Sequence, residues 1–204
     1  MEGMLMSDHY YSKNPEVESK PRRWDFRLRG FSFTFETDAG VFSKSEVDFG
    51  SRVLIDCFEL PSVEGNILDV GCGYGPIGLS IAKSYPERIV HMMDVNDRAL
   101  NLAIKNAELN GVQNVRIYES DALSSVDTDQ VAVVLTNPPI RAGKQTIFRI
   151  YDQAYEVLSE DGELWIVIQK KQGAPSTVDH LQTQFKDVTV VHKEKGYWII
   201  RAIK

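Results

Sequence analysis

Cysteine is nearly absent from this chain, and the shortage closes off two classes of protein. Cys57 and Cys72 are the only two in 204 residues, too few for a disulfide framework and not spaced as paired zinc ligands. Cys57 lies in an apolar stretch and reads as a small buried hydrophobe. The histidines His9, His91, His180 and His192 form no cluster, so no metal site is expected. No apolar run approaches the ~18 residues of a membrane-spanning helix, and no membrane partner is expected. The opening residues Met1 to Tyr10 lack a basic segment followed by an apolar one; a secretory leader is not expected and the cytoplasm is the default location. Positive charge is also in deficit. Lys and Arg number 23 against 29 Asp and Glu, a net charge of -6, which argues against binding long nucleic acid through many phosphate contacts. The local exception is 13–29, where Lys13, Lys20, Arg22, Arg23, Arg27 and Arg29 face only Glu16, Glu18 and Asp25. That segment is either a basic docking face or an ordinary solvated strand face.

What is present is an ordinary globular mixture, 43% apolar and 25% charged, in a chain sized for one well-buried domain. Residues 1–20 are polar without periodicity and are expected to form a flexible arm. Residues 21–60 read as a hairpin and helix module packed on the rest. Trp24, Phe26 and Leu28 alternate with polar residues, Gly30 permits a turn, and Phe31, Phe33 and Phe35 alternate again. Asp38-Ala39-Gly40 is a second turn, leading into a short edge segment at Val41-Phe42-Ser43, and a helix is expected at 50–59. Residues 61–204 form the third unit, in which strands at 66–70, 89–93, 114–119, 131–136 and 162–169 alternate with helices at 76–84, 97–109, 144–158 and 175–184. Strands 131–136 and 162–169 are apolar on both faces, as covered central strands should be. The chain closes with a hairpin of 187–192 and 197–203 around Glu194-Lys195-Gly196. The pattern predicts a Rossmann-like three-layer α/β/α sandwich carrying an N-terminal β-hairpin.

Two short segments carry the chemistry. Asp69-Val70-Gly71-Cys72-Gly73-Tyr74-Gly75-Pro76-Ile77-Gly78 follows an apolar strand. Glycines there allow a tight turn and close approach of a ligand to backbone amides, and Gly78 lets the next helix lie against the strand. The same stretch satisfies the weak dinucleotide spacing from Gly73 to Gly78, so the glycines alone do not choose the cofactor. Asp94, at the end of the second strand, is placed to accept from both hydroxyls of an unphosphorylated ribose; its alternative is a helix cap or loop acid. Asp69 sits poorly beside a pyrophosphate and well beside an amine or sulfonium. Asp121, further along the same rim, is placed to accept from an adenine amine while Ala122 or Leu123 packs on the ring; it is otherwise a loop residue.

Asn137-Pro138-Pro139-Ile140 is the second segment. The prolines stiffen the turn, so the Asn137 side-chain carbonyl and the Pro138 main-chain carbonyl form a rigid pair of acceptors. Together they match the two N–H bonds of a planar primary amine and would aim its lone pair at an electrophilic methyl. Asn137, Pro138 and Pro139 are therefore the expected catalytic residues, with Ile140 flat against the substrate. The competing reading is a turn that merely ends a strand. Such a nitrogen attacks first and loses its proton to water afterwards, so neither a catalytic histidine nor a metal is expected.

These residues give the chain, from about 40 to 204, a resemblance to the class I S-adenosylmethionine-dependent methyltransferases. More narrowly it resembles the small-domain-type group that methylates guanine N2 in 16S ribosomal RNA. Asp69 to Gly78 is similar to that superfamily's cofactor loop, Asp94 to its ribose acid, Asp121 to its acid near adenine, and Asn137-Pro138-Pro139 to the motif of enzymes acting on planar amines. Gly40-Val41-Phe42-Ser43, with Asp48-Phe49-Gly50-Ser51 beyond it, resembles the lead-in of the ribosomal group. The resemblance implies a seven-stranded, mostly parallel sheet whose last strand is antiparallel, with S-adenosyl-L-methionine as cofactor. It also implies ribosomal RNA or the small ribosomal subunit as partner, and leaves monomer and homodimer both open. The cofactor set it implies is Asp69, Gly71, Cys72, Gly73, Gly75, Asp94, Val95, Asp121, Ala122 and Asn137. The substrate set is Phe42, Ser43, Ile140, Arg141 and Lys144. Two departures are visible: Ile140 stands where an aromatic is common, and Arg141 where several relatives carry histidine. Two-domain members add an N-terminal domain, whose docking role would fall here to 13–29, Arg141, Lys144 or a second copy of the chain. The competing functions are N-methylation of a protein glutamine or small molecule, NAD-dependent oxidoreduction, and a catalytically silent binding subunit.

Overall fold

A computed structural model describes residues 20–39 and 46–204. The expected arm, apart from Lys20, and the expected edge segment with Phe42 and Ser43 lie outside the described residues. The chain runs β1 (Arg22–Leu28), β2 (Phe31–Thr37), α1 (Phe49–Cys57), β3 (Asn66–Val70), α2 (Pro76–Ser84), β4 (Val90–Asp94) and α3 (Asp97–Leu109). It continues through β5 (Val115–Glu119), β6 (Val131–Thr136), α4 (Lys144–Val157), β7 (Glu163–Gln169), α5 (Ala174–Leu181), β8 (Asp187–Glu194) and β9 (Tyr197–Ile203). The seven-stranded sheet has the order β5-β4-β3-β6-β7-β9-β8. Its first five strands are parallel, while β9 runs antiparallel to both β7 and β8.

Alternation of side chains across the sheet divides the core in two. Ile67, Val133 and Leu135 face α1, α2 and α3, whereas Leu68, Val70 and Val134 face α4 and α5. Both β6 and most of β7 are buried, because helices cover each face. The chain enters the sheet at β3, moves outward to β4 and β5, then returns to lay β6 on the other side of β3. That reversal opens a crevice at the carboxyl ends of β3 and β6, the place where open α/β sheets bind ligands.

Helix starts follow their caps. Asp48 accepts from the Ser51 N–H at 3.0 Å, so α1 begins at Phe49, a residue ahead of the sequence expectation, and it ends at Cys57. Asn96 caps α3, accepting from the Arg98 and Ala99 N–H groups. The β1–β2 hairpin forms a separate two-stranded sheet whose Phe33 and Phe35 are buried, with Trp24 and Phe35 both packed near Tyr74.

Two asparagines, Asn106 on α3 and Asn110 capping its end, stitch this hairpin to the main body. Asn106 Oδ1 accepts from the Glu36 N–H at 2.7 Å, and its Nδ2 donates to the carbonyls of Glu36 and Tyr74 at 3.0 and 2.9 Å. One turn later Asn110 treats Thr34 the same way, accepting from its N–H and donating to its carbonyl, both at 2.9 Å. Two side-chain amides thus do for β2 what a neighbouring strand would do. Asn106→Leu removes a side-chain partner from three backbone groups and is expected to lower unfolding free energy by about 3 kcal/mol, measured by urea denaturation. A loss below ~1 kcal/mol would show that the amide contacts are not holding the hairpin.

The basic segment splits in two. Arg29 is turned inward: its Nη1 donates to the carbonyls of Ile55 and Phe58, each at 2.8 Å, and its Nη2 to the Tyr85 hydroxyl. It closes the carboxyl end of α1 instead of facing a ligand. Arg23 joins Lys105 on the buried Glu36, whose carboxyl these two cations hold below its ordinary range. Arg22 and Arg27 are exposed. No described helix is long and apolar enough to cross a membrane.

Candidate active site

Strand register brings the two segments together. Val70 pairs with Thr136, so Gly71 and Asn137 leave adjacent strands at the same rim, about 5 Å apart by the spacing of a sheet. A buried hydrogen bond from Thr136 Oγ1 to the Val70 carbonyl, 2.9 Å, fastens the pair just below the crevice.

On the β3 side the turn is built around two acids. Asp69 is wholly buried, and its Oδ2 accepts from the Gly78 N–H at 2.8 Å. A Cβ at position 78 would fall 2.6 Å from Met92 Cγ and 2.8 Å from Asp69 Oδ2, so α2 approaches the sheet more closely than any larger residue permits. Asp69 Oδ1 has no hydrogen-bond partner among the described residues. Burial, with a smaller push from Asp94 and opposition from the Gly78 N–H, raises the Asp69 pKa from 3.8 to about 7. Asp94 Oδ2 accepts from the Gly73 N–H at 2.9 Å and Oδ1 from the Asn96 N–H at 3.0 Å. Gly73 turns at φ +57 to present that N–H. The diol acceptor expected from sequence is therefore also a tie across the glycine turn; a carboxylate oxygen keeps a second lone pair for a hydroxyl. Burial also raises the Asp94 pKa.

A buried, unpartnered carboxylate oxygen beneath a glycine turn, with a second carboxylate beside it, suits a cationic ligand carrying a ribose. It opposes a pyrophosphate, whose charge would meet both acids. S-Adenosylmethionine fits this donor set on those grounds.

Elsewhere on the rim Cys72 is buried and its thiol pushed upward by burial, so it is no nucleophile. Val95 is half-buried at the end of β4, and Gly75 caps α2 in the left-handed region at φ +101. Asp121 is exposed and holds Arg149 of α4 through both oxygens, at 2.6 and 2.8 Å. Ala122, at φ +53, and Leu123 are buried behind it.

On the β6 side the prolines lead into a 3-10 turn, Ile140–Ala142, closed by the Ala142 N–H donating to the Pro139 carbonyl at 2.9 Å. Pro138 is buried, Ile140 half-buried, and Arg141 and Lys144 exposed, with Lys144 Nζ 5.0 Å from the Phe148 ring. Asn137 does not stand alone. Its Nδ2 donates to Asp48 Oδ1 at 3.2 Å and to Ser51 Oγ at 3.1 Å. With both N–H bonds engaged, the amide plane is set and Oδ1 is directed away from α1 as an acceptor. Asp48 and Ser51 are thus positioning residues that sequence reasoning quoted only as part of a family-like lead-in. The capping spacing marks them as a helix start, but nothing local couples them to a residue 89 positions away.

Asp48→Ala is expected to slow a reaction at the Asn137 amide about 10- to 100-fold, as misoriented groups at a reacting centre do, with little change in affinity for a ligand of the glycine turn. Asp48→Asn, which keeps an acceptor oxygen, should recover most of that loss. Equal loss in both variants would remove the positioning role.

A family model described as Methyltransferase small domain matches residues 32–201. The Bacillus subtilis (strain 168) protein YbxB, described as uncharacterized, is 60% identical over 200 residues that cover 98% of this chain and 100% of that protein. Ribosomal RNA small subunit methyltransferase C of Vibrio vulnificus (strain CMCP6) is 31% identical over 187 residues, 90% of this chain and 53% of that protein. The chain therefore spans about half the length of such methyltransferases. Among solved structures, a T. thermophilus 16S rRNA N2 G1207 methyltransferase in complex with AdoMet and guanosine superposes with a TM-score of 0.80 at 23% identity. It covers 93% of this chain and 52% of that one, and at this identity the likeness is one of fold.

Proposed function

The chain belongs to the methyltransferase small-domain family, and on that premise we propose that it methylates an exocyclic amine of a nucleobase, guanine N2 of small-subunit ribosomal RNA. The observation that carries this reading is the Asn137 amide, held by Asp48 and Ser51 so that its oxygen is left as an acceptor beside the glycine turn.

S-Adenosylmethionine supplies, when bound, a methyl carbon on a sulfonium that departs as a neutral thioether. In this reading Asp69 and Asp94 offset the ligand's positive charge, Asp94 also accepting from ribose. Gly71, Cys72, Gly73, Gly75, Val95 and Ala122 line the cofactor, and Asp121 reaches adenine only if it gives up part of its pairing with Arg149. Asn137 Oδ1 and the Pro138 carbonyl accept the two N–H bonds of the guanine amine. That orients the nitrogen lone pair, and its surplus proton passes to solvent after the bond forms. Such positioning lowers a barrier by up to ~7–11 kcal/mol in ideal cases. Pro139 keeps the corner stiff, while Ile140 packs on the base. Arg141, Lys144, Phe42 and Ser43 complete the acceptor side. Residues 61–204 are then the cofactor-binding catalytic unit, and 21–60 the module that contributes Asp48 and Ser51. A ribosomal substrate goes with a cytoplasmic place of action.

The test is transfer of a labelled methyl group from S-adenosylmethionine to small ribosomal subunits lacking their modifications, followed by mapping of the labelled base. Label on guanine N2 is the expected result. Label on ribosomal protein in its place would overturn the nucleobase assignment.

A further inference from the structure

We infer that the tip of the β8–β9 hairpin and the residues just after β7 form a landing surface for the phosphodiester backbone of a single RNA strand beside the target base. This deepens the reading above and rests on it. The surface is physically continuous with Asn137. Gly50, between the two residues that hold the Asn137 amide, lies so close to Tyr197 that a Cβ there would be 2.8 Å from Tyr197 Cε1. The Tyr197 ring centroid is 5.7 Å from that of Phe49, and Lys195 Nζ is 4.5 Å from the centroid of Phe49. The Lys195 ammonium is therefore parked over the first turn of α1, not swinging freely. The Lys170 N–H donates to the Gly196 carbonyl at 2.8 Å, which brings Lys170 and Lys171 to the same corner as the hairpin tip.

The charge there runs against that of the protein. Lys170, Lys171 and Lys195 are exposed at this corner, while the exposed Lys193 lies on the other face of the sheet, its Nζ 4.1 Å from the Trp198 ring centroid; none of the four forms an ion pair with a carboxylate among the described residues. Glu194, between two of them, is directed at His192 at 3.4 Å. A chain with a net charge of -6 therefore concentrates unneutralised lysines next to the acceptor corner. Lys195 also stands in the left-handed region at φ +46, ahead of Gly196 at φ +83. Asparagine or glycine is favoured at that place in a two-residue hairpin turn, so a lysine is held there at a conformational cost. Cations beside the Asn137 corner match the repeating phosphates of a strand whose base is held there.

Fluorescence anisotropy with a short labelled single-stranded RNA tests this, using the full chain in potassium chloride from about 50 to 200 mM. For the double variant Lys170→Gln with Lys195→Gln, the slope of log affinity against log salt should shrink by about 1.4, roughly 0.7 per lysine on single strands. Melting temperature and affinity for S-adenosylhomocysteine should not change, and the matching double change to arginine should restore the slope. An unaltered slope in the glutamine variant overturns the surface. So does an equal reduction from Arg22→Gln with Arg27→Gln on β1, or competition by polyglutamate as effective as by RNA. An unaltered chain that does not bind the RNA, yet methylates guanine in the subunit assay, overturns the surface and leaves the catalytic reading intact. A lysine-dependent slope without methyl transfer does the reverse.

Discussion

Replacing Asn137 with alanine is expected to lower the turnover of methyl transfer by about 10²- to 10³-fold, the scale for losing one preorganised hydrogen-bonding group at a reacting centre. The substitution removes one of two acceptors for the incoming amine and leaves the Pro138 carbonyl in place. It does not disturb Gly78 against Asp69 or Gly73 against Asp94, so affinity for S-adenosylhomocysteine should stay within about threefold by calorimetry. Adding Asp48→Ala to Asn137→Ala should then cost almost nothing more, because Asp48 acts on turnover through the amide that is already gone. A variant that keeps a tenth or more of parental turnover would sink the acceptor role of Asn137. A further large loss on adding Asp48→Ala would show that Asp48 works by another route.

Asp69→Asn is expected to weaken cofactor binding by roughly 10²-fold at pH 8, the order seen when one member of a buried charge pair is removed. The same change should improve the stability of the ligand-free protein relative to its parent as pH rises. The carboxyl is raised by burial from 3.8 to about 7. Below pH 4 both folded and unfolded chains hold the proton, and the group contributes nothing to pH dependence. Between pH 4 and pH 7 the folded chain keeps it while the unfolded chain releases it, so folding stability falls with rising pH by about 1.4 kcal/mol per unit. Above pH 7 the penalty levels off. An asparagine has no such slope, though its amide must sit where Asp69 Oδ1 has no partner, a fixed cost of about 1–3 kcal/mol. From pH 5 to pH 8 the variant should therefore gain up to about 3 kcal/mol on its parent, read from denaturant midpoints at each pH. Cofactor affinity of the parent should rise about tenfold from pH 6 to pH 8 as the carboxyl ionises. Parallel stability profiles, together with affinity flat in pH, would show that Asp69 is not a buried charge reserved for a cationic ligand.

The secondary structure of the main body was legible because its signals are short-ranged. Pro76 opens α2, fully apolar runs make β6 and β7, and Glu194-Lys195-Gly196 turns the last hairpin. The glycine turn and the Asn137 corner were legible for a related reason: prolines and glycines restrict their own backbone wherever they stand. Side-chain commitments were harder to read. Arg29 looked like part of a basic face and closes α1. Asp121 looked available and is paired with Arg149, 28 residues away. Periodicity does not report which of several possible partners a long cation will reach.

By itself the sequence determined the α/β alternation, the two chemical segments and the family they belong to, since each depends on residues within about a dozen positions of one another. Only the tertiary structure decided that β6 returns to the side of β3, that Asn106 and Asn110 sew the hairpin down, and that Asp48 and Ser51 aim Asn137. Those contacts join positions far apart in the chain, and they form only when packing of the two faces of the sheet has already brought the backbones together.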